Sequence, residues 1–423
     1  MQPMVTYCIA ASTIVLILSR PTLLGHRLSP AFGAGLGVLS LAGFRSIGIT
    51  DVGYLLGELW RSFVVLASIM VMTEVATRVG LLNAWARRLD ARSRSTNGLF
   101  ARLFILSVGT SATLNNDAAI LLLTPLAVTL VSQRFDLEGK ERSEHSHVLL
   151  PVFAFGVFMG AGVAPFVVSN PMNMLVADYV QIGFNDYARR MVPVAVVGWL
   201  VAFTMMRFIF RKPLALPFPT KLSQPITPFT REQFQMMAVL FISLASYPLV
   251  SLFHGPVWLV ACGAAGTALM IERVTLKNLS DTITHGIAWG TLAFLVFILL
   301  IASALQHVGL VDFLAEQYLG ASNAAIAATS AVGSAVLNNH PMAYINMLGL
   351  EAAGQPKVGV LAALIGGDLG PRLLPTGSLA GLLWIELLSR RKIKISLWRF
   401  VTLGLWVTVP SLILSVWILN CFS

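Results

Sequence analysis

The 423-residue chain is 56% hydrophobic and only 11% charged, proportions that exclude an ordinary soluble domain and put most of the chain inside a bilayer. Its net charge of +10 would suggest nucleic acid in a soluble protein, but the basic residues cluster in loops between apolar stretches, where orientation signals belong, so nucleic-acid binding has no support. The 3 cysteines, Cys8, Cys262 and Cys421, are scattered and give neither a disulfide framework nor a metal or redox motif, and no nucleophile with a base points to an enzyme or a cofactor.

In chain order, the first apolar stretch follows Met1-Gln2-Pro3-Met4, which has no basic side chain, and no small-residue cleavage site precedes Arg20. It therefore reads as a retained span rather than a secretory signal. Spans are expected at 4–19, 31–48, 56–75, 148–180 and 191–210, and again at 233–253, 255–271, 287–307, 357–389 and 397–420. Between the third and fourth span of each group lies an apolar segment broken at its middle by polar residues, 98–134 and then 321–350. Each reads as a re-entrant hairpin. Gly80 to Arg94, with Trp85 and several arginines, reads as an amphipathic helix at the membrane surface. Gly33, Gly35 and Gly37 permit close helix packing. The proline-rich stretch 211–232 is the linker between a first repeat, 1–210, and a second, 233–423.

The two halves are related. Ser111-Ala112-Thr113-Leu114-Asn115-Asn116 matches Ser334-Ala335-Val336-Leu337-Asn338-Asn339, 223 residues later. Because five spans per half is an odd number, the second copy enters the membrane from the opposite side. The expected fold is thus an all-α membrane protein, an inverted-topology repeat of 5+5 transmembrane helices with two re-entrant helical hairpins and two broken helices, as in secondary transporters. The loops holding Arg87, Arg88, Arg92, Arg94, Arg211, Lys212, Arg390, Arg391, Lys392 and Lys394 share one face; the opposite face has few basic residues, such as Arg45, Arg189 and Arg190. The first face is expected to be cytoplasmic, with both termini outside.

An asparagine pair inside an apolar segment leaves amides unsatisfied unless the backbone breaks there and faces a cavity. Asn115, Asn116, Asn338 and Asn339 are therefore candidate solute ligands; packing against neighbouring helices is the alternative. Opposite each hairpin the adjoining span also carries a break signal. Ser169-Asn170-Pro171 offers a helix cap followed by proline at the first helical position, and Pro375-Thr376-Gly377-Ser378 does the same in the second half. Ser169, Asn170, Thr376, Gly377 and Ser378 join the candidate site, where backbone N–H groups and hydroxyls replace the hydration of a small oxygen-rich solute. Three ionisable residues sit at the breaks: Asp117, His340 and Asp368. They are candidates for proton coupling, because a buried charge is costly and a protonation change can follow access to either side. The structural alternatives are a charge–dipole role for Asp117, a pair of Asp368 with Arg372 one turn later, and a hydrogen-bonded His340. Asp368 has no acidic twin in the first half, where Ala161 aligns.

Leu114-Asn115-Asn116-Asp117 running to Thr124-Pro125, Ser169-Asn170-Pro171-Met172-Asn173, and above all Gly367-Asp368-Leu369-Gly370-Pro371-Arg372 continuing through Pro375-Thr376-Gly377-Ser378 resemble the arsenite and antimonite efflux permeases. The resemblance runs from about residue 50 to the end. Two positions depart from that family's pattern: His340, where an apolar residue is usual, and Gly367, where a cysteine is common, which argues against a thiol–arsenic contact there. The resemblance implies a multi-pass inner-membrane antiporter that exports arsenite, and antimonite, as the neutral trihydroxide in exchange for protons. Such a solute suits amides, hydroxyls and backbone groups, and no three-cysteine site is available to it. A soluble ATPase subunit docking on the cytoplasmic loops stays open, as do a sodium/proton antiporter, a carboxylate carrier and a passive channel for neutral hydroxides.

Overall fold

The computed structural model describes residues 2–19, 21–23, 26–135, 144–219, 227–271 and 280–422. Residues 220–226 of the expected linker, and parts of the loops expected at 135–147 and 272–286, lie outside the described residues. The chain is helical almost throughout; a two-residue antiparallel ladder, Thr22–Leu23 with His26–Arg27, is a small departure from the all-α expectation.

Two helices open the chain, α1 (Gln2–Ser19) and α2 (Pro30–Gly43). Then come α3 (Ile49–Arg78), α4 (Leu81–Ala91), α5 (Thr96–Thr113), α6 (Asn116–Arg134), α7 (Glu144–Gly160), α8 (Pro171–Tyr179) and α9 (Phe184–Ile209). A short α10 (Arg211–Leu214) precedes α11 (Arg231–Leu252) and α12 (Val257–Ile271). The order then recurs: α13 (Trp289–His307), α14 (Leu310–Tyr318), α15 (Asn323–Leu337), α16 (Asn339–Ala352), α17 (Lys357–Leu369), α18 (Leu379–Arg390) and α19 (Leu397–Cys421). Six of these are long and apolar enough to cross a membrane: α3, α6, α9, α11, α13 and α19.

Each expected element has a helix, and the expected breaks fall at Leu114–Asn115, at Asn338, and within 161–170 and 370–378. The expected span at 56–75 is longer, and that at 31–48 ends early, at Gly43, where Arg45 turns back with a positive φ. The amphipathic helix expected at Gly80 to Arg94 is α4. Its counterpart α14 was not anticipated, although Val311, Leu314 and Tyr318 are buried while Asp312, Phe313, Glu316 and Gln317 are exposed, the spacing of a one-sided helix. α4 is fixed to α6 by a buried Asp90–Arg134 pair, 3.6 Å, with the Arg134 guanidinium over the Phe218 ring.

The halves interlock rather than sit side by side. α8 of the first half packs on α16 of the second, and α18 of the second packs on α6 of the first. Around α18 the contact is aromatic: Trp384 is fully buried, with ring centroids 5.1 Å from Phe155 and 4.9 Å from Phe158. Elsewhere it is made by small residues. A Cβ at Gly366 would stand 2.2 Å from the Ala327 carbonyl oxygen, and one at Gly370 2.4 Å from that of Ala331. α17 and the turn after it thus lie directly on the α15 backbone through a glycine repeat one helical turn apart, the device that lets helices associate in lipid, where burial of apolar surface gives no drive.

Gly366→Ala is therefore expected to destabilise the protein by about 1–3 kcal/mol or more, because rigid backbone rather than a side-chain end must move. The check is the amount of detergent-stable protein recovered from membranes, with Gly53→Ala, which meets nothing within 4 Å, as the variant expected to match wild type.

Candidate functional site

The tips of the two helix pairs are built from the repeated Leu-Asn-Asn sequence but do not adopt the same conformation. Asn115 is extended (φ −170°) and caps α6, its side-chain oxygen accepting from Ala118 N at 2.6 Å. Asn338, its counterpart, is held at φ 85° and ψ 146°. A side chain pays about 1–3 kcal/mol to sit in such a region. Its contacts are long: 3.4 Å from His340 N to its oxygen, and 3.4 Å from its amide nitrogen to the Thr376 carbonyl. The second asparagines differ too. Asn116 accepts from the Ser111 hydroxyl and donates to the Gly162 carbonyl at 3.0 Å. Asn339 Oδ1 and His340 Nε2 are buried without a partner among the described residues.

The breaks meet the tips at equivalent points. Ser169 Oγ donates to the Ala112 carbonyl at 2.9 Å, and Thr376 Oγ1 donates to the Ala335 carbonyl at 3.2 Å. Ala112 and Ala335 occupy the same position in the two copies. Asn170 caps α8, accepting from Met172 N at 3.1 Å, with Pro171 at the first helical position. Ser378 caps α18, accepting from Gly381 N at 2.9 Å. These side chains do the local work that starts a half-helix: they satisfy N–H groups that no preceding turn can. Gly377 is packed against protein on the side where a Cβ would stand, 2.7 Å from Pro371 Cα. Only its peptide groups can face a solute.

Asp368 joins the halves. It is 6% exposed, and accepts from Asn170 Nδ2 at 2.6 Å, Ala164 N at 2.9 Å and Asn173 Nδ2 at 3.0 Å. All three donors belong to the first-half break. The pair with Arg372, open from sequence, is not formed: no carboxylate lies within ion-pair distance of Arg372 among the described residues. Arg372 instead turns to the end of α7, where Nη2 donates to the Met159 carbonyl at 2.5 Å and the Ala161 carbonyl at 3.4 Å. The physical reason is the broken helix itself. The end of α7 presents unpaired carbonyls and a partial negative charge, and the start of α8 presents unpaired N–H groups and a partial positive one. A second-half cation serves the first and a second-half anion lies beside the other. Asp117, in the first turn of α6, is half-buried and has no hydrogen bond or ion pair among the described residues, as a purely dipolar role requires.

Two groups of expected site residues thus form, one around Asn116, Ser169, Asn170 and Asp368, the other around Asn338, Asn339, His340 and Thr376, joined by the 367–378 segment. Sequence reasoning missed Asn173 and Tyr187 as members of the first group, and it offered Arg372 as an ion-pair partner of Asp368 rather than as a donor to the end of α7. A signal existed for Asn173, a lone amide in a run of otherwise buried apolar residues; Tyr187 had none. Beside the first break lies a cavity of about 570 Å³ that reaches Val167, Val168 and Met174 and is rimmed by Arg61, Asp178 and His254.

Comparison with known proteins places these features in a group. The family described as "Arsenical pump membrane protein" matches residues 5–422. An arsenical pump membrane protein of Escherichia coli is 27% identical, each chain covered to 95%. A putative arsenical pump membrane protein of Bacillus subtilis is 24% identical, with 92% of each covered. Among solved structures, the Alcanivorax borkumensis YdaH transporter superposes with a TM-score of 0.61 at 17% identity, over 99% of this chain and 98% of that one. Neisseria gonorrhoeae MtrF, described with a class of antimetabolite efflux pumps, gives 0.62 at 10% identity over 99% and 94%. At these identities the two structures speak for the fold alone.

Proposed function

The chain belongs to the arsenical pump membrane protein family, and from that premise we propose that it exports arsenite, and with it antimonite, as the neutral trihydroxide in exchange for protons. It is a multi-pass transporter of the inner membrane. The recurring order of helices supports an inverted repeat of five crossings per half, with 1–210 and 233–423 as the repeats, the α5–α6 and α15–α16 pairs as re-entrant hairpins, and both termini outside.

The carrying observation is the environment of Asp368: a buried carboxylate at a helix break, held by three neutral donors from the other half, with no cation at ion-pair distance among the described residues. A carboxylate in a permanent ion pair is locked in its charged form. One held by amides can take up a proton when solvent reaches it and release it on the other side. Asp368 is thus the proton carrier, ahead of Asp117 and His340.

The trihydroxide offers three O–H donors. Buried acceptors without a partner among the described residues are Asn339 Oδ1, His340 Nε2 and Asn173 Oδ1, and Asn115, whose oxygen caps α6, has its amide nitrogen to offer. Asn116, Ser169, Asn170, Thr376 and Ser378 frame the site through the bonds described above, and Gly377 offers its peptide groups. Uncharged partners suit an uncharged solute, since leaving any of them unpaired in the bound state would cost about 1–3 kcal/mol each. Movement of the hairpin-bearing units against the remaining helices would expose the site to one side at a time.

Everted vesicles with an imposed pH gradient are expected to accumulate arsenite above the external concentration, and to lose that accumulation when the gradient is collapsed. Accumulation indifferent to the gradient would end the exchange reading.

A further inference from the structure

Asn173 has one amide group and two demands upon it. Its nitrogen lies 3.0 Å from Asp368 Oδ2 and 2.7 Å from the Tyr187 hydroxyl. Tyr187 is fully buried on α9, and its hydroxyl reaches the Ala164 carbonyl at 3.1 Å. Ala164 closes a ring, because its N–H donates to the same Asp368 oxygen at 2.9 Å.

A tyrosine hydroxyl has a single proton. With that proton given to the Ala164 carbonyl, the oxygen can face Asn173 only as an acceptor, so Asn173 must present its NH₂ group. The second hydrogen of that group then points at Asp368, and the amide oxygen is turned away, buried and without a partner among the described residues. The Asp368 carboxylate also calls for the NH₂ end while it is ionised, but once it is protonated only the Tyr187 oxygen still does. We propose that Tyr187 is a positioning residue for the proton carrier: through Asn173 and Ala164 it fixes two of the three donors that hold Asp368, and leaves the Asn173 oxygen free to accept from a hydroxyl of the solute.

The charged or titratable groups bearing on Asp368 are Arg372, from the turn that follows it, and Tyr187 itself. α15, packed on the other face of α17, brings Ile326, Ala327, Ser330, Ala331 and Ser334 to the glycine contacts, none of them charged. With no ion pair at the carboxylate among the described residues, the ring acts on it beside the more distant charge of Arg372 alone. The inference rests on Asp368 as carrier, and a paired test separates the two.

Initial rates of arsenite accumulation in everted vesicles would be measured across a pH series for wild type, Tyr187→Phe, Asn173→Ala and Asp368→Asn, with membrane protein quantified by immunoblot. Tyr187→Phe keeps the ring that fills its site and is expected to accumulate normally. Its maximal rate should fall about tenfold and the midpoint of its pH profile should move by about one unit, the displacement that a tenfold change in proton affinity gives. Half-saturating arsenite should stay within about twofold, since a lost positioning bond acts on the rate and not on uniform binding. Asn173→Ala should move the midpoint in the same sense, and Asp368→Asn should flatten the profile. If Asp368→Asn flattens the profile while Tyr187→Phe overlies wild type, the positioning role is wrong and the carrier stands. If Asp368→Asn keeps the wild-type profile, both are wrong.

Discussion

Asp368→Asn is expected to reduce an arsenite-sensitive host expressing the transporter to the growth of a host with none, and to lower proton-driven arsenite accumulation by about 100-fold or more, the scale of removing a positioned proton-transfer group. The side chain keeps its size but can no longer gain and lose a proton. It also meets a geometric conflict. Asp368 Oδ1 accepts from the Asn170 amide nitrogen, and that amide cannot reverse, because its own oxygen caps α8 through Met172 N. An NH₂ group at this position would face another NH₂ group, at a cost of about 1–3 kcal/mol for the donor left unpaired. Some loss of folded protein should accompany the loss of transport, so rates are to be normalised to the amount in the membrane. Asp117→Asn provides the contrast. With no partner at its carboxylate, the substitution is expected to leave resistance within about twofold of wild type, since only a charge–dipole contribution of about 0.3–1 kcal/mol is at stake.

Arg372→Met should act on stability first. The guanidinium is 2% exposed and supplies the donor for the carbonyls of Met159 and Ala161 at the end of α7. Methionine fills much of the volume but leaves those carbonyls short of a donor and takes away the one cation near Asp368. A loss of about 3 kcal/mol or more is expected from the charged hydrogen bonds together. Arg372→Lys keeps a cation and should recover part of the loss, because both carbonyl bonds are made by the single nitrogen Nη2 and the shorter side chain has only to bring its ammonium to that point. The double variant Asp368→Asn, Arg372→Met should be less damaged than the sum of its parts, as residues in one network are not additive; it should still fail to transport. Thermal unfolding of purified protein in detergent reads the stability, and vesicle uptake reads the transport. Equal melting of Arg372→Met and wild type would contradict the capping role.

These expectations draw unequally on sequence and on structure. The helices, the two tips and the two breaks were legible because each is specified locally. An asparagine pair in an apolar run, a Ser-Asn-Pro cap and a Pro-Thr-Gly-Ser turn carry their conformations in a few adjacent residues, and the duplication made each signal count twice. The partners of Asp368 were not legible, since Ala164, Asn170 and Asn173 lie 204, 198 and 195 residues away. Local spacing pointed to Arg372 instead, one turn along the chain, where the backbone leaves the helix and takes the guanidinium elsewhere. The unequal tips were hidden for a similar reason. Identical letters at Asn115 and Asn338 fold to φ −170° and 85°, a difference that no adjacent residue announces. Nothing local to Gly366 and Gly370 announces the α15 backbone that lies against them.

The hydrogen-bonded ring through Tyr187 also accounts for an asymmetry between the halves. Asp368, which has no acidic twin, bonds donors of the first half, while the second-half tip keeps buried acceptors without a partner among the described residues at Asn339 and His340. On the proposed reading Asp368 would hold the proton, while Asn173 in the first half and Asn339 and His340 in the second would be open to the solute. The direct measurement of that division uses purified wild-type protein in sealed liposomes that contain a pH-sensitive dye, with arsenite added outside and no pH gradient imposed. Arsenite entering down its gradient should drive protons outward and make the interior more alkaline, and the Asp368→Asn protein should give no such signal. Arsenite entry with no proton movement in wild type, or an undiminished signal with Asp368→Asn, would contradict it.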